Sequence, residues 1–600
     1  METIKGLKRT HLCEELSMED ISKEVVVMGW VQRVRDLGGL IFADLRDRSG
    51  ILQLVMNQEN KEIYEKAEKL RSEYVIAAKG TLVKRDPETV NDKIKTGQIE
   101  VRVTDLRILS KAETPPFMVS DDISVREEIR LRYRYIDLRR PSVQQNLMTR
   151  HKITTIAHDF YDKNGFIEIE TPILTKSTPE GARDYLVPSR IHNGAFYALP
   201  QSPQIYKQIL MVSGFDRYMQ IAKCFRDEDL RADRQPEFTQ IDLEMSFVEA
   251  DDVMDLNEQF IARVFKEIKG IDIKLPLPRM TYKEAMERFG SDKPDTRFGL
   301  EIHDLSDAVK DCEFKVFSGA IKAGGSVRCI TVKGGADKFA RRELDALVEY
   351  VKTYRAKGLA WITVTETELK SPIVKFLTDD ECKALLEAAG AEVGDVVLMV
   401  ADNNKIVFDA LGNLRLHLGE KLGLIDESRY DLLWVTDFPL FEYNEDEHRY
   451  QAMHYPFTAP RDEDIELLDT TPEKALAKAY DIILNGTELG GGSIRIYDNE
   501  LQRKMFKAIG ITDEEAQLRF PHLLDAFKYG APPHGGMAYG LDRFAMILCG
   551  CPSIRDVIAF PKVQNASELM TQAPSDVDPK QLDELGIAVI RTEEDEDEEE

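Results

Sequence analysis

The sequence has few cysteines, no long apolar run and none of the common phosphate-binding or zinc motifs. Its seven cysteines are odd in number and scattered, which argues against a disulfide framework and favours a reduced, cytoplasmic compartment. No apolar segment approaches the roughly 20 residues of a membrane span, so no membrane partner is expected. A P-loop, a Rossmann glycine fingerprint and an H-E-x-x-H zinc motif are all missing. Any phosphate site must therefore use another scaffold.

Positive charge is also in deficit. The chain carries 80 Lys and Arg against 107 Asp and Glu, for a net charge of −27 over 600 residues. Part of the deficit is the acidic run at 593–600, which is expected to repel itself and stay disordered. The total does not exclude a nucleic-acid partner, because local patches decide such binding. The length predicts several domains.

Five short strand-like segments lie within residues 25–110 and are separated by turn signals. They cover residues 25–34, 40–47, 50–56, 74–85 and 99–109, with one helical stretch at 62–71. This pattern resembles an OB-fold barrel, whose sheet face binds single-stranded nucleic acid by stacking and backbone contacts. A generic small barrel fits the pattern equally well. Charge, an aromatic platform and an amide would come from Arg33, Arg35, Phe42 and Gln53.

Residues 219–247 alternate polar and apolar side chains on both sides of a charged loop that contains a proline. Such alternation predicts an antiparallel hairpin. On the second strand, one aromatic ring shares the polar face with amides and carboxylates: Phe238, Gln240, Asp242 and Glu244. A ring in that setting, beside Arg226 and Glu228, suits a stacked base next to a polyphosphate. A salt-bridged surface hairpin is the alternative.

The rest of the chain suggests a multidomain α+β protein. A connector is expected at 111–140, and a helix at 142–164 is followed by a strand at 166–172. A second helix is expected to have Ser202 as its N-cap and Pro203 at its first position. The predicted domains are 1–110, the linker 111–140, a domain whose first part is 141–284 and whose second part is 421–565, an insertion between them at 285–420, and an extension at 566–600.

Three segments in order resemble motifs 1, 2 and 3 of the class II aminoacyl-tRNA synthetases: residues 165–172, 225–244 and 540–548. The segments at 178–190, 201–208 and 485–496 narrow the resemblance to bacterial-type aspartyl-tRNA synthetases. The resemblance covers nearly the whole chain except the acidic tail, and the insertion resembles a GAD domain. It implies an N-terminal OB-fold anticodon-binding domain, an antiparallel-sheet catalytic domain and a homodimer formed through the motif 1 region.

The same resemblance implies a ligase that joins L-aspartate to ATP, releases pyrophosphate and transfers aspartate to the 3′ end of tRNA-Asp. The implied ATP-binding residues are Arg226, Asp227, Glu228, Gln235, Phe238, Glu488, Gly540, Leu541, Asp542 and Arg543. Arg226 and Arg543 are the implied catalytic residues, and Asp481 and Glu488 the implied Mg²⁺ ligands. Because the attacking carboxylate is already ionised at pH 7, no general base is required. Positioning and charge stabilisation can therefore supply most of the catalysis.

Selection of aspartate must depend on charge, because asparagine has nearly the same shape. The implied aspartate-binding residues are Glu180, Gln204, Lys207, Arg226, Asp242, His454 and Arg495. Lys207 and Arg495 would clamp the side-chain carboxylate, and asparagine would leave these cations uncompensated in a partly dry pocket. The chain departs from the family at Tyr455, where a second histidine is usual. A tyrosine there cannot become cationic.

The resemblance also implies that the barrel contacts the anticodon through Arg33, Arg35, Phe42, Gln53 and Glu100. Leu37, in place of a histidine, favours an enzyme that discriminates tRNA-Asp from tRNA-Asn, and a non-discriminating enzyme is the alternative. An asparaginyl-tRNA synthetase would lack Lys207 and the insertion. A non-catalytic synthetase-like RNA-binding protein would not need to retain its catalytic residues, which here are Arg226, Glu228, Glu488 and Arg543.

Overall fold

The structure is a computed structural model that describes residues 2–178, 182–230, 232–445 and 447–590. The chain divides into two compact units. The first contains residues 1–152, 229–236 and 545–600, and the second contains 153–228 and 237–544. Among the described residues, no helix combines the length and apolar character needed to cross a membrane.

In the first unit, residues 24–110 form a closed five-stranded barrel with strand order β1-β2-β3-β5-β4. Its elements are β1 Glu24–Asp36, β2 Leu40–Arg46, β3 Ile51–Asn57, helix α1 Lys61–Ala67, β4 Val75–Lys84 and β5 Ile99–Ser110. Gly29 permits a close strand approach, because a Cβ there would stand 2.3 Å from the carbonyl oxygen of Arg46. The five predicted strands are confirmed, and the helix ends at Ala67 rather than at residue 71.

Two short helices, α2 Glu127–Arg132 and α3 Arg134–Asp137, follow the barrel. The segment predicted as a linker, 111–140, is held to the barrel by specific contacts. Arg139 forms a 2.8 Å ion pair with Glu73, whose side chain is 3% exposed. The guanidinium of Arg139 also lies 5.3 Å from the ring centroid of Trp30. These contacts fix the end of the connector against β1 and the turn before β4.

The chain then forms the elements that carry motifs 1 and 2. They are helix α4 Pro141–Lys163, β6 Ile167–Glu168, β7 Leu186–Pro188, β8 Phe196–Ala198, helix α5 Gln204–Val212, β9 Arg217–Phe225, β10 Glu237–Ser246, helix α6 Ala250–Lys269, β11 Arg279–Thr281 and helix α7 Tyr282–Phe289. Helix α6 ends at Gly270, whose φ of 72° suits glycine. The predicted β9–β10 hairpin is present, with antiparallel pairing from Glu237↔Phe225 to Met245↔Arg217.

The insertion is an antiparallel five-stranded sheet with helices, in strand order β12-β13-β16-β14-β15. Its elements are β12 Ile302–Asp304, helix α8 Ser306–Val309, helix α9 Lys315–Lys322, β13 Ser326–Val332, helix α10 Arg341–Lys352, β14 Ala360–Val364, β15 Leu369–Lys370, helix α11 Asp379–Ala388, β16 Val396–Asp402 and helix α12 Asn404–Lys421. Apolar side chains from both faces of the sheet are buried, so helices cover each face.

The main sheet, which has eight strands, is completed after the insertion. The remaining elements are β17 Leu432–Thr436, β18 Phe441–Asn444, β19 Arg449–Ala452, β20 Ala479–Leu484, β21 Thr487–Ile494, helix α13 Asn499–Ala508, helix α14 Asp513–Arg519, helix α15 Pro521–Phe527, β22 His534–Gly540, helix α16 Leu541–Cys549 and helix α17 Pro579–Leu585. The eight-stranded sheet has the order β11-β17-β20-β21-β22-β10-β9-β6. Its five central pairings are antiparallel, and the two edge pairings are parallel.

Two local predictions are corrected by the structure. The strand predicted over 166–172 contains only Ile167–Glu168, because the chain turns away and the amide and hydroxyl of Thr171 donate to the side chain of Gln220. Helix α5 has Pro203, not Ser202, as its N-cap residue. Ser202 still caps the helix from one residue earlier, since its Oγ accepts from the backbone N–H of Gln204 at 3.3 Å.

Candidate active site

The floor of the candidate site is the polar face of β10, an inner strand of the catalytic sheet. Period-two alternation places four predicted side chains on this face: Phe238, Gln240, Asp242 and Glu244. On one side β10 pairs with β22, which places Gly540 opposite Gln240 and Gly536 opposite Glu244. A Cβ at Gly536 would stand 2.3 Å from Oε2 of Glu244. The glycine therefore leaves the space that the carboxylate occupies.

Two cations and two carboxylates form a buried network on this floor. Lys207 of α5 reaches Asp242 Oδ1 at 2.6 Å and Glu244 Oε2 at 3.3 Å. Arg495, directly after β21, contacts Glu244 Oε1 through Nε at 2.9 Å and donates from Nη1 to Ser493 Oγ at 2.9 Å. The side chains of Lys207 and Arg495 are 3% and 7% exposed. Each cation is therefore already paired with a carboxylate of the protein, and the clamp on a substrate carboxylate stays a prediction.

Burial and neighbouring charges have opposite effects on these carboxyl groups. Burial would raise the pKa of Glu244, but Arg495 and Lys207 hold it below its usual value. Burial raises the pKa of Asp242, and Lys207 offsets this only in part. Oδ2 of Asp242 makes no hydrogen bond with any described residue. Asp242 is therefore the more weakly stabilised anion and has an acceptor oxygen to spare.

A layer of neutral polar side chains lies beside the network. Gln204 donates to Gln208 Oε1 at 3.1 Å, and Gln208 Nε2 lies 3.1 Å from Nε2 of His534. The other ring nitrogen of His534 lies 2.8 Å from the carbonyl oxygen of Pro532, which can only accept, so Nδ1 carries the proton. Burial lowers the pKa of His534. The ring is therefore neutral and accepts from Gln208, which adds no charge to the network.

Arg226 and Phe238 form a shelf at the other end of the polar face. Arg226 follows β9 directly, and its guanidinium lies 5.3 Å from the ring centroid of Phe238. The Nε of Arg226 is buried and has no hydrogen-bond partner among the described residues. Phe238 stands four residues from Asp242, which corresponds to about 13 Å along the strand. One end of the face therefore consists of an aromatic ring and an arginine, and the other end consists of the paired cations and carboxylates.

The other residues predicted in the loop after β9 are placed differently. Asp227 is paired with Arg183 through backbone bonds and an ion pair of 3.5 Å. Glu228 is half-buried. Gln235 is 3% exposed, and both ends of its amide bond to the backbone of Lys562, at 3.0 and 2.7 Å. The amide therefore bonds within the protein, and the contact of Gln235 with the nucleotide stays a prediction.

Motif 3 forms the turn from β22 into helix α16. The predicted turn residues are Gly540, Leu541, Asp542 and Arg543. Arg543 donates from Nη1 to the carbonyl oxygen of Glu488 at 2.7 Å. Asp542 is 4% exposed and accepts from the backbone N–H of Thr239 at 2.8 Å, and Leu541 is 1% exposed. The side chains of Asp542 and Leu541 therefore hold the helix on the sheet, and Arg543 links it to β21.

Two further predicted carboxylates, Asp481 of β20 and Glu488 of β21, lie on adjacent strands. A Cβ at Gly491 would stand 2.0 Å from Asp481 Oδ1, so this glycine makes room for the carboxylate. Burial raises the pKa of Glu488, Asp481 raises it further, and Arg543 opposes both. His454 Nε2 lies 3.8 Å from Asp481 Oδ2. Two carboxylates suit a hard cation, although no cluster of three or more metal-ligating side chains occurs within the described part of the chain.

Two residues singled out in the sequence remain. Glu180 lies outside the described residues. Tyr455 is partly buried against the apolar cluster below the sheet, with its ring 5.0 Å from that of Phe457. His454, in contrast, packs edge-on against Phe438 at 4.5 Å and turns toward Asp481. The residue that replaces the usual second histidine therefore packs into the core.

Four of the five residues predicted to contact the anticodon form one connected face on the barrel. Arg35 donates to Asp44 at 2.8 Å and to Gln53 at 2.9 Å. Gln53 in turn donates to Glu100 at 2.8 Å. The guanidinium of Arg35 lies 5.8 Å from the ring centroid of Phe42. The face thus combines a ring with fixed donors and acceptors.

The fifth residue, Arg33, is exposed and lines a groove of about 570 Å³ together with Glu68 and Arg71. Arg85 was not predicted as a site residue, yet it is 4% exposed and lies 4.0 Å from Glu100. The same holds for Asp44 in the barrel and for Gln208 and His534 beside the ionic network. Alternation could have found Asp44, which lies two residues from Phe42. Nothing in the sequence indicates that Arg85 is buried.

Two family models match the chain: "tRNA synthetases class II (D, K and N)" over residues 126–564 and "OB-fold nucleic acid binding domain" over residues 25–109. The chain is 64% identical to the aspartate--tRNA(Asp/Asn) ligase of Thermoanaerobacter pseudethanolicus, over 98% of this chain and 99% of that protein. It is 60% identical to the aspartate--tRNA ligase of Ruminiclostridium cellulolyticum, over 98% of this chain and 100% of that protein.

Solved structures share the fold at lower identity. The aspartyl tRNA synthetase from Entamoeba histolytica has a TM-score of 0.57 at 20% identity and covers 93% of this chain and 92% of its own. The asparaginyl-tRNA synthetase from Pyrococcus horikoshii complexed with asparaginyl-adenylate has a TM-score of 0.56 at 19% identity and covers 92% of this chain and 98% of its own. With a barrel, an antiparallel catalytic sheet and a family match over residues 126–564, the chain belongs to the class II tRNA synthetases of the D, K and N group.

Proposed function

We propose that the chain activates L-aspartate with ATP and then transfers it to the 3′ end of tRNA-Asp. One observation carries this proposal. At one end of the polar face of β10, the ring of Phe238 lies beside the guanidinium of Arg226. At the other end lie the buried cations Lys207 and Arg495. Relatives at 60–64% identity that are named for aspartate support it further.

The first step forms aspartyl-adenylate. An oxygen of the α-carboxylate attacks the α-phosphorus of ATP, and the bond to the departing pyrophosphate breaks. Arg226 holds the α-phosphate through its fork of donors, and Phe238 stacks on the adenine. Arg543 lies in the first turn of α16, where the guanidinium and the backbone N–H groups of the helix attract the outer phosphates. The carboxylate is already ionised at neutral pH, so the step needs no protein base.

We assign Asp481 and Glu488 as the ligands of an Mg²⁺ ion that accompanies ATP. The carboxylates of Asp481 and Glu488 repel each other, and this repulsion contributes to the raised pKa of the buried Glu488. A divalent cation bound between them would relieve the repulsion. The ion supplies neutralising charge to the phosphate oxygens. His454 lies beside Asp481 and keeps that carboxylate in place.

Lys207 and Arg495 bind the side-chain carboxylate of aspartate, and Asp242 accepts from its α-ammonium group through the otherwise unbonded Oδ2. In the second step the 3′ hydroxyl of the terminal ribose attacks the adenylate carbonyl, and the adenylate leaves as AMP. The barrel presents Phe42, Arg35 and Gln53 to the anticodon. Free thiols at all seven cysteines are consistent with a cytoplasmic enzyme.

We propose that the loop after β1 helps to determine whether the enzyme charges tRNA-Asp alone or tRNA-Asn as well. Leu37 is 71% exposed there, and its presence instead of histidine favours the discriminating enzyme. Relatives at 64% identity carry the broader name aspartate--tRNA(Asp/Asn) ligase, so the non-discriminating function is the second candidate. Charging of purified tRNA-Asp and tRNA-Asn transcripts side by side separates the two. Comparable rates on both would establish the broader activity.

A homodimer is part of the proposal. Several large apolar side chains on adjoining segments are half-exposed in the single chain: Ile167, Ile173, Leu174, Leu186 and Phe196. The backbone bridge between Thr175 and Ala198 brings these segments together. A contiguous apolar patch of this kind is typical of an interface. The patch belongs to the motif 1 region, through which the family pairs its subunits.

Aspartate-dependent exchange of labelled pyrophosphate into ATP tests the enzymatic proposal directly. The full chain should catalyse exchange with L-aspartate and Mg²⁺, and L-asparagine should not replace aspartate. Arg226→Ala should abolish most of the exchange while tRNA binding is retained. Exchange with asparagine alone, or none with either amino acid, would contradict the proposal.

A further inference from the structure

A cleft of about 1170 Å³ lies between the insertion and the eight-stranded sheet. Its walls include the end of α7, the loop 290–295, helix α12 and the turn between β20 and β21. The loop 290–295 is not among the predicted site residues. It contributes one lysine, Lys293, to the cleft that Gly486 also lines, and Gly486 lies two residues before Glu488.

The backbone of this loop is held firmly on the C-terminal side of Lys293. Asp295 is 3% exposed and pairs with Arg297 at 2.8 Å. The buried guanidinium of Arg415 donates to the carbonyl oxygen of Asp295 at 2.8 Å. Pro294 is also buried. The side chain of Lys293, in contrast, is 47% exposed, so a fixed backbone presents a movable cation.

The loop packs directly against the turn that leads into β21. A Cβ at Gly486 would stand 3.0 Å from Cβ of Asp295, so the two segments touch. Glu488 lies only two residues beyond Gly486. This contact brings the loop that carries Lys293 against the turn that leads to Glu488.

The electrostatic setting of Lys293 agrees with this placement. Arg543 and Lys293 are the two cations that act on the carboxylate of Glu488 most strongly. The closest ion-pair partner of Lys293 is Asp292, at 3.8 Å from Nζ to Oδ1. That separation is long for a direct hydrogen bond, so the ammonium group retains capacity to bind another anion.

The reaction proposed above releases pyrophosphate, which carries several negative charges at neutral pH, next to Asp481 and Glu488. We infer that Lys293 is a further nucleotide-binding residue, which contacts the β- and γ-phosphates of ATP and then the departing pyrophosphate. This inference rests on the proposed function. Arg226 then binds the α-phosphate, and Arg543 and Lys293 together bind the departing pyrophosphate.

The test compares Lys293→Met and Lys293→Arg with Lys283→Met in the full chain. Lys283 lines the same cleft, is 82% exposed and has only a 3.9 Å pair with Glu287, so it controls for loss of general positive charge. Pyrophosphate exchange gives the KM for ATP, pyrophosphate and aspartate. Lys293→Met should raise the KM for ATP and pyrophosphate roughly ten- to a hundredfold and leave that for aspartate unchanged. Lys293→Arg should restore much of the loss.

Unchanged KM values in Lys293→Met, an equal rise for all three substrates, or the same effect in Lys283→Met would overturn the inference. A structural role would lower the thermal midpoint of Lys293→Met, which should instead match that of the unmodified chain. Equilibrium dialysis of labelled inorganic pyrophosphate with Mg²⁺ provides a readout that does not require activity, and Lys293→Met should bind more weakly. If the unmodified chain shows no aspartate-dependent exchange, the proposed function fails, and the dialysis still decides the role of Lys293.

Discussion

Removal of the charge at Lys207 tests whether the buried ionic network selects aspartate. Lys207 contacts Asp242 at 2.6 Å and Glu244 at 3.3 Å, and its side chain is 3% exposed. In Lys207→Met, Glu244 keeps Arg495, but Asp242 loses the only cation that contacts it among the described residues. Loss of one partner from a buried pair typically destabilises a protein by about 3–5 kcal/mol. The single variant should therefore unfold at a lower temperature.

A double variant separates this loss of stability from the loss of recognition. Lys207→Met with Asp242→Asn removes one cation and one anion together, so the network stays formally neutral and most of the stability should return. The pocket would still lack one of its two cations for the substrate carboxylate, and Asp242→Asn would also weaken the proposed contact with the α-ammonium group. Truncation of a buried charged partner costs about 2–5 kcal/mol in binding, or roughly 30-fold to several thousand-fold in kcat/KM for aspartate.

The loss of recognition is measured by pyrophosphate exchange, in which the concentrations of aspartate and ATP are varied in turn. The loss of stability is measured by thermal unfolding. Both variants should have a lower kcat/KM for aspartate and little change in the KM for ATP. The reason is that the proposed ATP contacts begin at Phe238, about 13 Å from Asp242 along the strand. An equal loss of affinity for ATP and aspartate would refute the assignment of Lys207. Recovery of aspartate use in the double variant would refute it as well, since stability alone would then explain the single variant.

Three other changes test separate parts of the proposal. Phe42→Ala should reduce tRNA charging roughly ten- to a hundredfold, because one stacked base is worth ~1–3 kcal/mol, and aspartate activation without tRNA should stay constant. Glu488→Gln should raise the Mg²⁺ concentration needed for half-maximal exchange, and chelation with EDTA should stop exchange in the unmodified chain; an unchanged Mg²⁺ titration would contradict the ligand assignment. Ile173→Glu with Leu174→Glu should give a monomer in sedimentation, and a stable dimer would argue against the proposed interface.

Much of the architecture follows from local sequence patterns, because alternation and turn signals act over a few residues. The five barrel strands and the β9–β10 hairpin are found close to their predicted bounds. The strand at 166–172 was overestimated, since β6 ends at Glu168 where Thr171 bonds to Gln220. That hydrogen bond joins segments about fifty residues apart, and no local pattern reports it. Helix α5 illustrates the ordinary uncertainty of one residue at a helix end.

Side-chain partners were harder to predict than side-chain positions. Alternation places Gln235 in the loop of a hairpin, yet its amide bonds to the backbone of Lys562, more than three hundred residues away. The polar face of β10 was expected to include Glu244, but its position between Lys207 and Arg495 depends on the approach of α5 and β21 to β10. Such pairings arise only when distant segments pack together. The sequence therefore indicated which charged residues lie in the site, but not which ion pairs they form.

That neutralisation changes the physical account of selectivity. A pocket with two unpaired cations would attract any anion, whereas here Lys207 and Arg495 are already satisfied by Asp242 and Glu244. If aspartate binds at these cations as proposed, its side-chain carboxylate competes with carboxylates of the protein. Of the two, Asp242 is the easier to displace, because burial raises its pKa and its Oδ2 is unbonded, and a released Asp242 can accept from the substrate ammonium. Asparagine brings no charge to replace Asp242 at Lys207, so it would have to break a 2.6 Å ion pair without compensation.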